Sequence, residues 1–76
     1  MTPETVNFEG KTLTLQDGKS HSYGQVILLN SGIIGRRERS IYPDWFKGFY
    51  YLKIGNNVHR FHVDEIAGVY QDALVS

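Results

Sequence analysis

Cationic and aromatic side chains are concentrated in one segment of this chain, residues 36–60. The segment holds six of the eight lysines and arginines, and six of the ten aromatic side chains lie within residues 42–51. Arginine forms paired hydrogen bonds to carboxylates and phosphates, and exposed aromatic rings supply apolar contact area. The rings outnumber what the core of a 76-residue chain needs, so the segment predicts a binding surface. Its candidate partner-binding residues are Arg36, Arg37, Arg39, Tyr42, Trp45 and Phe46.

The sequence offers little support for catalysis or metal binding. It contains no cysteine, which excludes disulfides, thiolate zinc sites and a cysteine nucleophile. His59 and His62 have a spacing that puts them on opposite faces of a strand, and His21 is distant in sequence. Neither a G-x-S-x-G elbow nor a G-x-x-x-x-G-K-[ST] phosphate loop is present. We therefore expect a non-enzymatic protein with no catalytic residue, no metal and no cofactor.

The charge is unevenly distributed along a chain whose formal net charge is zero. Residues 1–35 carry a net −1, residues 36–60 a net +4 and residues 61–76 a net −3. The basic middle segment either faces an anionic partner or is neutralised within the fold by the acidic C-terminal segment. Both interpretations stay open from the sequence.

A protein is the favoured partner, and single-stranded nucleic acid is the alternative. Dedicated nucleic-acid-binding domains carry a larger positive excess than this neutral chain, because phosphate contacts dominate their affinity. In size and composition the chain is similar to phage-encoded proteins that act on host machinery. That similarity implies a small regulator or inhibitor of the bacterial transcription machinery, with RNA polymerase or another transcription factor as its partner. We expect it to act as a monomer.

Apolar alternation and turn residues predict a first antiparallel hairpin. Residues 5–8 and 11–15 alternate between apolar and polar side chains, and Glu9-Gly10 separates the two runs. Further along, residues 43–48 begin with proline and aspartate and end with glycine, which predicts a turn or a single helical turn.

The strongest pattern in the sequence predicts a second, tight hairpin. Residues 49–54 and 58–63 are rich in aromatic and β-branched side chains, and Gly55-Asn56-Asn57 separates them. One face of the second strand carries Val58, Arg60 and His62, and the other carries His59, Phe61 and Val63.

Two segments allow alternative assignments. In residues 22–30, the run Val26-Ile27-Leu28-Leu29 suits a strand buried on both faces or a short buried helix, and its β-branched pair favours the strand. Residues 64–75 suit a helix capped by Asp64, or alternatively a short closing strand at 69–71. The helix is favoured because five apolar residues match one helical stripe: Ile66, Val69, Tyr70, Ala73 and Leu74.

Together these elements predict a single domain, residues 1–76, of mainly β (or α+β) class. We expect a small, strongly bent antiparallel sheet or half-open barrel of four to five strands with one or two short helices. The Gly55-Asn56-Asn57 hairpin and the following residues 60–66, RFHVDEI, resemble the last two strands of small SH3-like and Sm-like barrels. The resemblance covers the final third of the chain. It implies a small barrel fold and carries no functional residue across.

The predicted core is apolar and partly aromatic. It comprises Phe8, Leu13, Leu15, Ile27, Leu29, Tyr51, Leu52, Phe61, Val63 and Ile66. The N-terminus shows no signal-peptide pattern, and the longest apolar run, residues 26–29, is far shorter than a membrane span. We therefore expect a cytoplasmic protein.

Overall fold

The computed structural model describes residues 5–16, 18 and 20–72, which form one antiparallel sheet. The strands found in this part of the chain are β1 Thr5–Phe8, β2 Lys11–Leu15, β3 Val26–Leu29, β4 Ile34–Arg37, β5 Phe49–Ile54, β6 Asn57–His62 and β7 Ile66–Asp72. Their order across the sheet is β1-β2-β7-β3-β4-β5-β6, so β1 and β6 are its edges. Two single turns of 3-10 helix, η1 Trp45–Lys47 and η2 Val63–Glu65, precede β5 and β7.

The mainly β class is confirmed, whereas the expected number of strands and the expected helices are wrong. The described residues contain seven strands instead of four or five, and no α-helix. None of the helical segments among them is long and apolar enough to cross a membrane. The two hairpins form where the turn residues placed them, around Glu9-Gly10 and around Gly55-Asn56. Gly55 has a φ of 60°, which glycine adopts without steric cost at the first position of a two-residue hairpin loop.

The favoured C-terminal helix is also wrong. The alternative, a closing strand at residues 69–71, gives the correct type of element, but the observed strand is longer. β7 lies in the middle of the sheet and pairs antiparallel with both β2 and β3. Its neighbouring residues Val69 and Tyr70 are both fully buried, and neighbours along a strand point to opposite faces. Ala73 and Leu74, which completed the helical stripe, lie outside the described residues. A strand in the interior of the sheet buries side chains on both of its faces, whereas an amphipathic helix buries one stripe. This difference explains why the segment forms a strand.

The central strands carry a separate apolar cluster on each face of the sheet. Ile27 of β3 and Val69 of β7 pack with side chains from β5 and β6. Their sequence neighbours Val26 and Tyr70 pack with Leu13 and partly buried side chains from β1 and β2. The β5–β6 hairpin therefore covers one face and the β1–β2 hairpin covers the other. This double coverage confirms the assignment of the continuous run of residues 26–29 to a strand buried on both faces.

Most of the predicted core lies inside one of these two clusters. Six predicted residues are buried, namely Leu13, Ile27, Leu29, Leu52, Phe61 and Ile66. The other four, Phe8, Leu15, Tyr51 and Val63, are only half-buried. The prediction missed three buried apolar side chains: Val26, Val69 and Tyr70. Two of these lie in β7, because the helical assignment of that segment obscured its two-sided burial.

Candidate functional site

Three aromatic side chains form an exposed cluster on the turn between β4 and β5. The ring centroids of Tyr42 and Trp45 are 5.9 Å apart, and Phe46 lies 6.1 Å from each of them. Tyr42 is 69%, Trp45 47% and Phe46 71% exposed. We call these three residues the aromatic cluster. Apolar rings that contact one another at the surface and belong to neither core cluster are available to a partner.

Backbone hydrogen bonds hold the turn that presents the aromatic cluster. Asp44 N donates to Ile41 O at 2.8 Å, and Phe49 N donates to Asp44 O at 2.9 Å. Gly48 ends η1 with a φ of 89°, a left-handed conformation that favours glycine, and its N–H donates to Trp45 O at 3.2 Å. The rings therefore project from an ordered backbone, which lowers the entropy that binding must remove.

Asp44 fastens this turn to the outer face of the β5–β6 hairpin. The Tyr51 hydroxyl donates a hydrogen bond to Asp44 Oδ2. Arg60 Nε lies 3.6 Å from the same carboxylate oxygen. The hydrogen bond to the Asp44 carboxylate raises the pKa of the Tyr51 phenol above its ordinary value, because the bond stabilises the protonated hydroxyl that donates it. Two side chains from two strands thus fix one carboxylate inside the aromatic turn.

The structure does not bring the three predicted arginines to one surface. Arg36 and Arg37 are neighbours in β4 and point to opposite faces of the sheet. Arg36 donates to Gly24 O at 2.7 Å and to Glu9 Oε1 at 2.9 Å. Arg39 follows β4 and lies exposed, 5.0 Å from the ring centre of Tyr23. The aromatic members of the predicted site therefore form a cluster, whereas its arginines do not.

Arg37 forms a half-buried contact between a loop and the β5–β6 hairpin. Its guanidinium lies 4.4 Å from the ring centre of Tyr50. Its Nη1 donates to His21 Nδ1 at 2.9 Å and to His21 O at 3.1 Å. The imidazole in turn packs edge-on against Tyr50, with ring centres 4.6 Å apart. This stack ties the loop before β3 to β4 and β5, which gives Arg37 a structural role.

Sequence reasoning missed the contribution of Arg60 to the surface near the aromatic cluster. The Arg60 guanidinium lies 3.9 Å from the ring centre of Phe49, and His62 packs edge-on against the same ring at 4.9 Å. The sequence analysis already placed Arg60 on one strand face with Val58 and His62, and this face was the clue to its position. The pairing of Phe49 with His62 across the hairpin could have placed Phe49 beside that face.

The histidines do not assemble a metal site within the described residues. His62 Nδ1 accepts a hydrogen bond from Asp64 N at 3.1 Å, and the backbone N–H of His62 donates to Glu65 Oε2, which caps η2.

A pocket of about 160 Å³ lies on the face of the sheet that carries Val26 and Tyr70. It is lined by polar side chains such as Gln25 and Arg36 and by Leu13, and it is smaller than typical small-molecule sites.

His21 should make the stability of the fold pH-dependent. Burial, and then the charge of Arg37, lower the pKa of His21 below its ordinary value of 6.5. On acidification the unfolded chain therefore takes up the proton first. We expect the contribution of His21 to the free energy of unfolding to be fully present above pH 6.5 and to fall as the pH drops from there toward the folded-state pKa.

Urea unfolding at several pH values measures this effect. The His21→Gln variant, which removes the titrating group, should show a flatter dependence of unfolding free energy on pH than the unaltered chain. Equal slopes for the two proteins would contradict the role given to His21.

The chain matches no protein-family model, no curated protein and no solved structure.

Proposed function

We propose that this chain is a small, non-enzymatic regulator that binds a protein partner through the aromatic cluster. The observation that carries the proposal is the mutual contact of Tyr42, Trp45 and Phe46 at the surface of an ordered turn. Single exposed apolar side chains are ordinary, but a contiguous apolar patch marks an interaction site. Tryptophan and tyrosine on a preformed backbone are also typical of interface hot spots.

The arrangement of charge favours a protein over a single-stranded nucleic acid. Stacking of bases on exposed rings needs a track of cations beside the rings to hold the phosphates. Arg36 is engaged by Glu9 in the β1–β2 turn, and Arg37 is half-buried against His21 and Tyr50. Arg60 lies beside the turn with its Nε 3.6 Å from Asp44, but one guanidinium does not form a track of cations. Arg39 stacks on Tyr23, outside the aromatic turn, so the three arginines that suggested nucleic acid do not form a track beside the aromatic cluster.

The bacterial transcription machinery is the first partner class to test. Support for that class comes from the size and composition of the chain, which are similar to those of phage-encoded regulators. Its large assemblies offer acidic protein surfaces, which suit a chain that carries Arg39 and Lys47 at its surface. RNA polymerase and its associated factors are accordingly the candidates to look for among captured proteins.

A pull-down from bacterial lysate tests the proposal when the lysate is divided into nuclease-treated and untreated halves. We expect a protein to be captured in equal amounts from both halves and to be lost when Trp45→Ala replaces the unaltered chain. Recovery that depends on intact nucleic acid would instead assign the aromatic cluster to nucleic-acid binding. If the unaltered chain and the Trp45→Ala variant capture the same protein equally well, the aromatic cluster is not the contact surface.

A further inference from the structure

The sheet ends at β6 in an edge that no other described strand covers. β6 pairs with β5 over six residues without a shift in register, and it contains no proline. Val58 on this strand is 61% exposed. Proteins usually blunt such an edge with a proline, a bulge or a covering loop, because an open edge is a template for another strand.

The hairpin register shows which backbone groups of β6 face outward. The two-residue loop closes on the pair Ile54 and Asn57. Hydrogen-bonded and non-bonded pairs alternate from that closing pair, so Val58 and Arg60 direct their N–H and C=O groups away from β5. The next outward donor, His62 N–H, already bonds within the following turn. The stretch from Val58 to Arg60 is therefore the part of the edge that can accept a strand.

The charge around this stretch selects among the possible occupants. Lys53 pairs with Val58 across the hairpin, and the side chain of Arg60 is 52% exposed while its guanidinium rests on Phe49. A second copy of this chain paired about Arg60 would set two guanidinium groups opposite each other, which is unfavourable. A strand with a carboxylate opposite Arg60 would instead form a charge-assisted hydrogen bond. The edge therefore suits an acidic strand from another protein.

The β6 edge is continuous with the aromatic cluster. Asp44 in the aromatic turn lies 3.6 Å from Arg60, and Gly48 O accepts a hydrogen bond from Val63 N immediately after β6. A strand laid along β6 thus reaches the turn that presents the rings. We propose that β6 receives an extended acidic segment of the protein partner as an added strand, with one of its carboxylates on Arg60. This inference rests on the proposed function, and it adds the mode of recognition.

Two short synthetic peptides test the proposal on the full chain: one alternates glutamate with valine, and the other alternates lysine with valine. Amide hydrogen exchange is followed by NMR with each peptide at millimolar concentration. With the acidic peptide we expect exchange at the Val58 and Arg60 amides to slow by at least about tenfold, because both amides become hydrogen-bonded. The Asn7 amide on the opposite edge should be unchanged, and the lysine peptide should protect neither edge.

Variants separate the contributions of backbone and charge. Arg60→Glu should reverse the preference, so that the lysine peptide protects Val58 and the acidic peptide does not. Val58→Pro removes an outward N–H and should abolish protection by the acidic peptide, whereas Asn7→Pro, the matched change on β1, should not. If Val58→Pro fails to fold, the charge reversal at Arg60 still decides the question.

Several outcomes would overturn the added-strand proposal. The first is exchange at the Val58 and Arg60 amides that neither peptide slows, or that both slow equally. The second is a preference for the acidic peptide that persists in the Arg60→Glu variant. The third is a dimer of this chain in which the β6 amides are protected without any peptide. Any of these combined with partner capture that still requires Trp45 would leave the proposed function standing. If the acidic peptide protects β6 but no protein is captured in a way that depends on Trp45, the proposed function is contradicted.

Discussion

Replacing Trp45 with alanine is expected to weaken partner binding by about 30-fold or more, since removal of a central aromatic hot-spot side chain costs about 2 kcal/mol or more. The fold should tolerate the change, because Trp45 is 47% exposed and belongs to neither core cluster. The hydrogen bond from the Tyr50 hydroxyl to Trp45 uses the backbone oxygen, which alanine retains. Affinity for the captured protein should therefore fall, whereas the melting temperature should change little.

Tyr23→Ala provides the matched control for this result. Tyr23 is 59% exposed and stacks with Arg39, but it lies outside the turn that carries the aromatic cluster. We expect it to leave affinity for the partner unchanged. Binding that survives Trp45→Ala and is lost with Tyr23→Ala would move the contact to another part of the surface. A large fall in melting temperature for Trp45→Ala would show that the tryptophan is structural.

Replacing Gly35 with alanine is expected to destabilise the fold by about 2 kcal/mol, within the range for overpacking a buried site. Gly35 is buried in β4, and a Cβ there would lie 2.9 Å from both Ile54 Cγ1 and Lys53 O, and 3.2 Å from Leu52 Cβ. One of these atoms belongs to the backbone of β5, so rotation of a side chain cannot relieve the whole conflict. For a domain of this size the loss is a large fraction of the total stability.

Denaturant unfolding of Gly35→Ala measures this effect directly. Thr12→Ala, an exposed change in β2, is the control and should cost about 1 kcal/mol at most. Equal unfolding midpoints for Gly35→Ala and the unaltered chain would contradict the close approach of β4 to β5. That approach matters to the site, because β5 carries Tyr51, which anchors the aromatic turn.

Local signals in the sequence predicted the two hairpins and favoured a strand at β3, but they did not identify β7 as a central strand. Gly55-Asn56 selects a tight hairpin through backbone conformation alone, so its neighbours were sufficient to predict it. β7 depends on partners far away in sequence, namely β2 and β3. Its buried residues happen to fit a helical period, and only the pairing across the sheet distinguishes the two structures. The resemblance to SH3-like and Sm-like barrels stays a prediction.

The candidate site was predicted in part for the same reason. Exposure of the aromatic cluster follows from the number of rings, which the sequence shows, and Trp45 is exposed as that excess predicted. The separation of Arg36 from Arg37 follows from strand geometry, which a run of charges does not reveal until β4 is assigned. The position of Arg60 beside Asp44 needs both the β5–β6 register and the fold of the turn. The register follows from the local hairpin signal, but the fold of the turn depends on contacts with other strands and cannot be predicted from nearby residues.

Site-specific photocrosslinking from position 46 tests most directly whether the aromatic cluster is the partner contact. Phe46 is 71% exposed and chemically close to a benzoyl-phenylalanine crosslinker, and Tyr23 offers an exposed control position. After irradiation in nuclease-treated bacterial lysate, we expect one discrete protein adduct from position 46, competed away by the unaltered chain, and none from position 23. An adduct from position 23 with none from position 46 would contradict a partner contact at the aromatic cluster.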